Sequence, residues 1–296
     1  MWDVVLTVAG ILMLICLWFI LYDSNRFVVR RHSFTDARIK RPYRLVMFSD
    51  LHNKCFGPGN EKLLEAIDKL QPEGIFIPGD VLTAKPGKKL TVSLELLTKL
   101  SEKYLIYYSD GNHEHRLELY QDVYGSMAEE YEAGLKKAGV RRLNNASTAL
   151  AGTGIKVYGL KMDPFYFRRF RTAYMPPSYL KSVLGEKDEK SYGVLLAHNP
   201  DYFPEYAAWG ADLVFSGHVH GGMVRIPGWR GLVSPSVRLF PKYDGGLFKE
   251  GKSIMLLSRG LGMHTIPIRL FNPGELLYVE LLPADEKEKL LKEAEI

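Results

Sequence analysis

The sequence predicts an α/β layered fold, two packed sheets with helices outside, joined to one apolar N-terminal helix. Three observations predict it. In the first half, short apolar runs alternate with stretches whose apolar residues recur at helical spacing, the strand-helix-strand rhythm of parallel pairing. In the second half, apolar runs outnumber helical stretches, which suits two packed sheets better than a single doubly wound one. At the front, Val4 to Tyr22 reads VVLTVAGILMLICLWFILY without a charge, close to the roughly 20 residues that span a bilayer.

That first element is an uncleaved transmembrane anchor over residues 1–25. A cleaved signal would want a basic leader, a shorter apolar core and a small-residue cleavage site, whereas "MWD" precedes this run and bulky "FILYDSNRF" ends it. The other alternative, a buried helix of the soluble domain, is disfavoured by the lack of any polar face. Asp3 is the only charged side chain before the run, and Arg26, Arg30, Arg31, Arg38, Lys40 and Arg41 follow it. The positive-inside rule then gives a single-pass membrane protein with its C-terminal domain in the cytoplasm. Residues 26–42 read as a basic juxtamembrane linker lying close to anionic headgroups, so membrane lipids are expected partners.

Beyond it lies one domain, 43–283, with no low-complexity linker and no internal repeat. "YRLVMFSD" is a strand, "NEKLLEAIDKL" a helix, "GIFIPGD" a strand, "LTVSLELLTKL" a helix and "KYLIYYSDGN" a third strand. "LELYQDVYGSMAEEYEAGLKKAGV" is helical with a break at Gly125. The strands "IKVYGLKM", "YGVLLAH", "DLVFSGH", "SIMLLSRG" and "GELLYVELL" follow, and residues 284–296 form a charged surface helix. A hydrophobic content of 46% and a charged content of 25% are ordinary for a globular chain. The net charge of +5 is spread out, so no nucleic-acid partner is expected. The two cysteines, Cys16 and Cys55, make no disulfide framework, since Cys16 lies in the apolar run.

One apolar run after another ends in a metal-type donor. The first ends in Asp50 and His52, the second in Asp80, the third in Asn112 and His113. Later runs end in His198 and in His218 and His220. Each alone also fits a turn or a satisfied core histidine. Independent turns would not repeatedly select Asp, His and Asn at strand ends, where layered α/β folds gather their ligand sites. Carboxylates and neutral imidazoles without thiolates suit a first-row divalent ion rather than a structural zinc. A two-ion site needs a bridging carboxylate, for which Asp80 is the candidate.

The ordered series Asp50-Leu51-His52, Gly79-Asp80, Gly111-Asn112-His113-Glu114, His198 and Gly217-His218-Val219-His220 resembles the calcineurin-like metallophosphoesterases. "GHVHGGMVRIPG", "LLSRGLG" and "IRLFNPGELLYVEL" are similar to their membrane-associated, YkuE-like branch. The resemblance implies a four-layer α/β/β/α sandwich with a dinuclear centre. One ion would take Asp50, His52, Asp80 and His220, and the second Asp80, Asn112, His198 and His218. Mn²⁺ is the first choice, with Fe, Zn²⁺ or Mg²⁺ as alternatives. The implied chemistry is metal-dependent phosphoesterase action, with hydroxide generated at the ions attacking phosphorus. His113 matches the catalytic histidine, with Glu114 or Asp110 expected to hold its tautomer. One departure exists: the family often carries a second Asp three residues after the Gly-Asp aspartate, and Thr83 stands there, so altered support behind the ligands is expected.

Lys161 to Lys181 mixes aromatics with Arg168, Arg169 and Arg171. It reads either as a basic solvated loop or as a flap whose arginines bind substrate. With the anchor, the flap makes a phosphodiester or pyrophosphate ester at the membrane, lipid-linked, the expected substrate. The alternative function is a membrane-anchored metal- and phosphate-binding module without turnover.

Overall fold

The computed structural model describes residues 1–168, 172–227, 229–233, 239–263 and 268–286. Helix α1 runs Trp2–Ser24 and, among the described residues, is the one helix long and apolar enough to cross a membrane. Its most apolar stretch is exposed. Only its last turns meet the domain, where the Phe19 and Phe271 rings lie 4.8 Å apart and buried Asp23 accepts the backbone N–H of Asn272 at 3.0 Å.

The stretch expected to be a linker, 26–42, is not one. Phe27–Asp36 is strand β1, parallel to the last strand over its full length. Basic residues do not prevent this, because β1 is an edge strand, and charge on an edge guards it against stray pairing. The segment's arginines are also engaged within the domain. Arg30 pairs with Glu275 at 2.6 Å, Arg38 with Asp36 at 2.7 Å and Asp212 at 2.8 Å, and Arg41 with Glu73 at 2.5 Å.

The expected order follows: β2 (Tyr43–Met47), α2 (Glu61–Leu70), β3 (Gly74–Ile77), α3 (Thr91–Ser101) and β4 (Leu105–Tyr108). The helical stretch after β4 is cut into α4 (Asn112–Leu119), α5 (Gln121–Tyr124) and α6 (Met127–Lys137). The break at Gly125, with φ of 57°, was expected from sequence; the one at Tyr120 was not. Then come β5 (Arg141–Arg142), β6 (Ala146–Leu150), β7 (Ile155–Leu160), α7 (Tyr179–Leu184), β8 (Tyr192–Ala197), α8 (Phe203–Trp209) and β9 (Leu213–Ser216). A small hairpin, β10 (Val224–Arg225) and β11 (Gly231–Val233), precedes β12 (Gly246–Glu250), β13 (Ser253–Leu257) and β14 (Gly274–Pro283). Residues 284–286 are helical, and the rest of the expected charged helix, 287–296, lies outside the described residues.

Two six-stranded sheets result, ordered β1-β14-β2-β3-β4-β5 and β12-β13-β9-β8-β7-β6. Strands β2 to β5 run parallel, as do β7, β8, β9 and β13. Alternation along each strand builds the layers. Leu45, Met47 and Phe76 of the first sheet pack between the sheets with Val194, Leu196 and Phe215 of the second. Their neighbours Val46, Phe48 and Ile75 face Leu63, Leu97 and Leu135 of the helices. Leu195 and Val214 face Leu180 and Phe203 on the other side. Both faces of these strands are therefore buried, which is why their sequences are unbroken apolar runs. The layer order is α/β/β/α, with β2 to β5 of one sheet and β7, β8, β9 and β13 of the other ending at the same edge.

Candidate metal centre

That shared edge assembles the strand-end donors. Asp50 and His52 follow β2, Asp80 follows β3, Asn112 and His113 open α4 after β4, His198 follows β8, and His218 and His220 follow β9. The loops are stitched to one another: Asp50 N–H donates to Gly79 O at 3.1 Å, His52 N–H to Asp80 O at 3.2 Å and Gly217 N–H to His198 O at 3.0 Å. Asp50, His52, Asp80, His218 and His220 all adopt left-handed backbone, with φ of 51°, 50°, 56°, 75° and 52°. Such residues cost about 1–3 kcal/mol each and collect where side chains must be aimed. Two glycines allow the crowding. A Cβ on Gly111 would lie 2.2 Å from Asp80 Oδ1, and one on Gly217 2.3 Å from Asp50 Oδ2.

The imidazoles are oriented from behind. Nδ1 of His52, His198 and His220 lies 3.2, 2.6 and 3.0 Å from the carbonyl oxygens of Leu82, Pro78 and Gly262. A carbonyl only accepts, so each Nδ1 carries the proton and each Nε2 turns a lone pair inward in the neutral ring. The Nε2 atoms of His52 and His220 stand 3.3 Å apart. Two lone pairs so placed repel unless a cation or proton lies between them. Asp50 Oδ1 is 3.6 Å from Nε2 of His220 and 3.9 Å from that of His52, and Asp80 Oδ2 is 3.0 Å from Nε2 of His198. Asn112 Oδ1 is buried with no hydrogen-bond donor. Three groups could hold a metal ion, each with ligand atoms within 4.8 Å of one another: Asp50-His52-His220, Asp80-His198-His218 and His52-Asp80-His113. The donor set and its orientation fit divalent metal ions.

Electrostatics agree. Burial pushes the Asp50 carboxyl above its ordinary value, against the pull of His198. At Asp80 burial is outweighed by His198, His113 and His52, which hold its carboxyl well below the usual range. At His198 burial is likewise outweighed by Asp80 and Asp50, and its pKa rises to about 10. Burial and the nearby His198 push His218 down to about 3. The two buried carboxylates thus demand positive charge and draw it from His198, a demand that a divalent cation meets.

His113 differs from the other imidazoles. Its Nδ1 accepts the backbone N–H of Ala84 at 2.9 Å, which leaves the neutral ring protonated at Nε2. It is a donor where the others are acceptors. Neither carboxylate expected to set its tautomer is placed to do so by its main contacts. Asp110 grips Arg142, at 2.8 Å and 2.5 Å. Glu114 accepts four backbone N–H groups: Val81 and Leu82 at Oε1, at 2.9 and 3.3 Å, and Asp80 and Gly111 at Oε2, at 2.9 and 3.0 Å. Burial, with Asp80 and Asp110 nearby, pushes Glu114 up to about 8, against the downward pull of hydrogen bonds from Tyr108 and the Asp80 backbone. Glu114→Gln would aim an amide N–H₂ at two of the four backbone donors. Each buried polar group left unmatched costs about 1–3 kcal/mol. The expected result is a loss of roughly 3 kcal/mol, read as a lower denaturant midpoint with unchanged slope; an unchanged midpoint refutes this role.

Other supports make contacts that carried no sequence signal. Thr83, at the position of the family's second Asp, donates its hydroxyl to His52 O at 3.2 Å. Asn272 donates its side-chain amide to His220 O at 2.8 Å and Gly222 O at 2.5 Å. Buried Arg269 donates to the carbonyls of Arg259, Gly260 and Gly262, the last of which also meets His220 Nδ1. Asn272→Ala frees the His220 backbone, so metal affinity is expected to fall about 10- to 100-fold with the fold retained. Isothermal titration of Mn²⁺ checks it.

One residue of the segment 161–181, read as a loop or a flap, lies beside the site. The Phe167 ring lies 5.3 Å from that of His218 and 6.1 Å from that of His198. Arg168 is exposed and its guanidinium stacks over Phe165 at 4.2 Å, whereas Arg169 and Arg171 lie outside the described residues.

Several known proteins are similar to this chain. The Bacillus subtilis protein YkuE, an uncharacterized metallophosphoesterase, is 24% identical over 241 residues, covering 79% of this chain and 77% of YkuE. A Helicobacter pylori metallophosphoesterase is 26% identical over 257 residues, covering 84% of this chain and 62% of its own. The Chlamydia muridarum UDP-2,3-diacylglucosamine pyrophosphatase LpxG is 22% identical over 277 residues, covering 81% and 83%. Among solved structures, a putative 5'-nucleotidase from Staphylococcus aureus superposes with a TM-score of 0.46 at 14% identity, covering 74% of this chain and 49% of that one. Residues 43–222 match the family model described as calcineurin-like phosphoesterase, and every donor described above falls within them. The chain therefore belongs to the calcineurin-like phosphoesterase family, with YkuE among its relatives.

Proposed function

We propose that this protein is a single-pass membrane hydrolase that cleaves a lipid-linked phosphodiester or pyrophosphate ester, using two divalent cations. Asp50, His52, Asp80 and His220 would hold one, and Asp80, Asn112, His198 and His218 the other, with Mn²⁺ favoured. The observation that carries the reading is the tautomer division: imidazoles aimed as acceptors around two carboxylates, and one, His113, aimed as a donor beside them. When bound, the cations would neutralise phosphoryl charge and make water acidic enough to attack at neutral pH. Asp80 would hold both sides of the centre in register. His113 would donate Nε2–H to the leaving oxygen, and its Nδ1 is held by Ala84 for that task. Phe167 would keep bulk water from the His198 and His218 rings. Arg168, with Arg169 and Arg171, would meet substrate phosphate.

Two features favour a substrate in the membrane. The anchor joins the domain through only Asn25 and Arg26, and Asp23 is bonded to the residue that supports His220, so the site has no long tether. LpxG, by its name, acts on a diacylated sugar nucleotide. The basic residues after α1 favour a cytoplasmic domain. The test is hydrolysis of bis-p-nitrophenyl phosphate and p-nitrophenyl phosphate by the full-length chain in detergent with Mn²⁺, with and without chelator. Chelator-sensitive cleavage of the diester over the monoester supports the reading. Monoester preference sinks its diester half. Bound Mn²⁺ without turnover of either ester, or of a lipid-linked pyrophosphate, favours the binding module.

A further inference from the structure

Four exposed apolar side chains of the domain are gathered around one hairpin. Ile226, Trp229, Leu239 and Phe240 stand on and next to the β10–β11 hairpin, with Trp229, Leu239 and Phe240 63%, 69% and 51% exposed. They form one patch: the Trp229 and Phe240 rings are 6.5 Å apart, Val233 bridges Leu239, and Phe240 N–H donates to Leu232 O at 2.8 Å. The hairpin turn closes through Trp229 N–H to Ile226 O at 3.0 Å. Hairpin turns are ordinarily built from polar residues, and an exposed apolar cluster at a tip calls for something to cover it.

The hairpin's base points to the cover. Val224 bridges Leu270, Arg225 N–H donates to Leu270 O at 3.1 Å, and Leu270 N–H donates to Met223 O at 3.0 Å. The next two residues are those that meet α1: Phe271 packs on Phe19, and Asn272 N–H donates to Asp23. Phe19 lies about 7.5 Å inside the end of α1, at about 1.5 Å per residue. Beside it Trp18 and Tyr22 stack with centroids 5.2 Å apart, an aromatic pair of the kind that settles at headgroup level. The hairpin therefore springs from a loop that touches α1 at its aromatic end. Exposed Lys242 and half-buried Arg230, which donates to Pro241 O at 2.9 Å, flank the patch with positive charge suited to phosphate headgroups.

We propose that the β10–β11 hairpin is a second membrane contact, in which Ile226, Trp229, Leu239 and Phe240 enter the same leaflet interface as the C-terminal end of α1. The inference rests on the reading of α1 as a membrane span. A single helix, docked on the domain through Phe19 and Asp23 at its end, holds the domain to the bilayer at one point. A second contact fixes its tilt, and this one begins at Val224, four residues after His220, so it fixes the height of the metal centre over the bilayer. A site held at one height selects esters whose phosphorus lies at headgroup depth.

The experiment uses the full-length chain with Cys16→Ser and Cys55→Ser, reconstituted into phosphatidylcholine–phosphatidylglycerol vesicles. A nitroxide is placed in turn at Trp229→Cys, Phe240→Cys, Ile11→Cys within α1, and Glu189→Cys on an exposed loop. Collision with oxygen, which concentrates in lipid, is compared with collision with a water-soluble nickel chelate. The labels at 229 and 240 are expected to shift toward oxygen and away from nickel, as at 11, while the label at 189 stays nickel-accessible. Lipid exposure at 11 with aqueous labels at 229 and 240 overturns the second contact and leaves the anchor standing. An aqueous label at 11 removes the anchor and overturns the shared interface with it. Spin–spin broadening at 229 without oxygen access makes the patch a face between two copies and overturns the proposal.

Discussion

Asp80→Asn is expected to lower phosphoester hydrolysis by at least about 10⁴-fold while the protein stays folded. Asp80 lies between the two groups of donors, sharing one with His198 and His218 and another with His52 and His113. Losing one preorganised electrostatic contact costs about 10²–10³ in turnover. Asparagine withdraws the negative charge from both sides at once, so two such losses multiply. The fold should tolerate the change because the amide is isosteric and its oxygen can still accept the N–H of His113, which Asp80 Oδ1 now takes at 2.9 Å. Stability supplies a readout apart from turnover. A ligand present at about 100 times its Kd stabilises the folded chain by about 2.7 kcal/mol. Added Mn²⁺ should therefore raise the melting temperature of the native chain and leave that of Asp80→Asn almost unmoved. A variant that keeps the Mn²⁺ shift would show that Asp80 does not hold the ions together.

How far the sequence foretold this site depends on what kind of information each part carries. The unbroken apolar runs of β2, β3, β8 and β9 declare strands buried on both faces, and the residue types at their ends declare donors for a cation. Both signals are local, so both survive in a linear reading. The edge strand β1 was hidden because its charge pattern resembles a juxtamembrane linker, and only its register against β14, some 250 residues away, makes it a strand. Glu114 was read as a partner for His113, whereas its oxygens collect backbone N–H groups from 80–82 and 111. Backbone donors leave no mark in a sequence. Asn272 and Asp23 were silent for the same reason, since an Asn that supports a ligand's carbonyl looks like any other loop Asn. The departure at Thr83 was legible as a departure, but its new hydrogen bond to His52 O was not.

His113→Ala is the second large effect expected, a fall in turnover of about 10²–10⁴-fold with metal content intact. The geometry sets two roles against each other. His113 lies within one of the donor groups, with Asp80 and His52, and its ring meets that of His52 edge-on at 4.9 Å. Proximity alone would make it a ligand. The Ala84 N–H favours the other role, because an Nδ1 that accepts leaves Nε2 protonated and unable to coordinate in the neutral ring. A donor to the leaving oxygen has a signature that a ligand lacks. Its loss should matter most for a poor leaving group such as an alkyl alcohol, which must be protonated as it departs. It should matter least for p-nitrophenolate, which departs as an anion. The full factor is therefore expected with an alkyl phosphodiester and a much smaller one with the nitrophenyl ester, at unchanged Mn²⁺ stoichiometry. Equal losses on both esters, together with lost metal, would instead place His113 among the ligands, and the Nδ1 contact to Ala84 would then have to break when the ion binds.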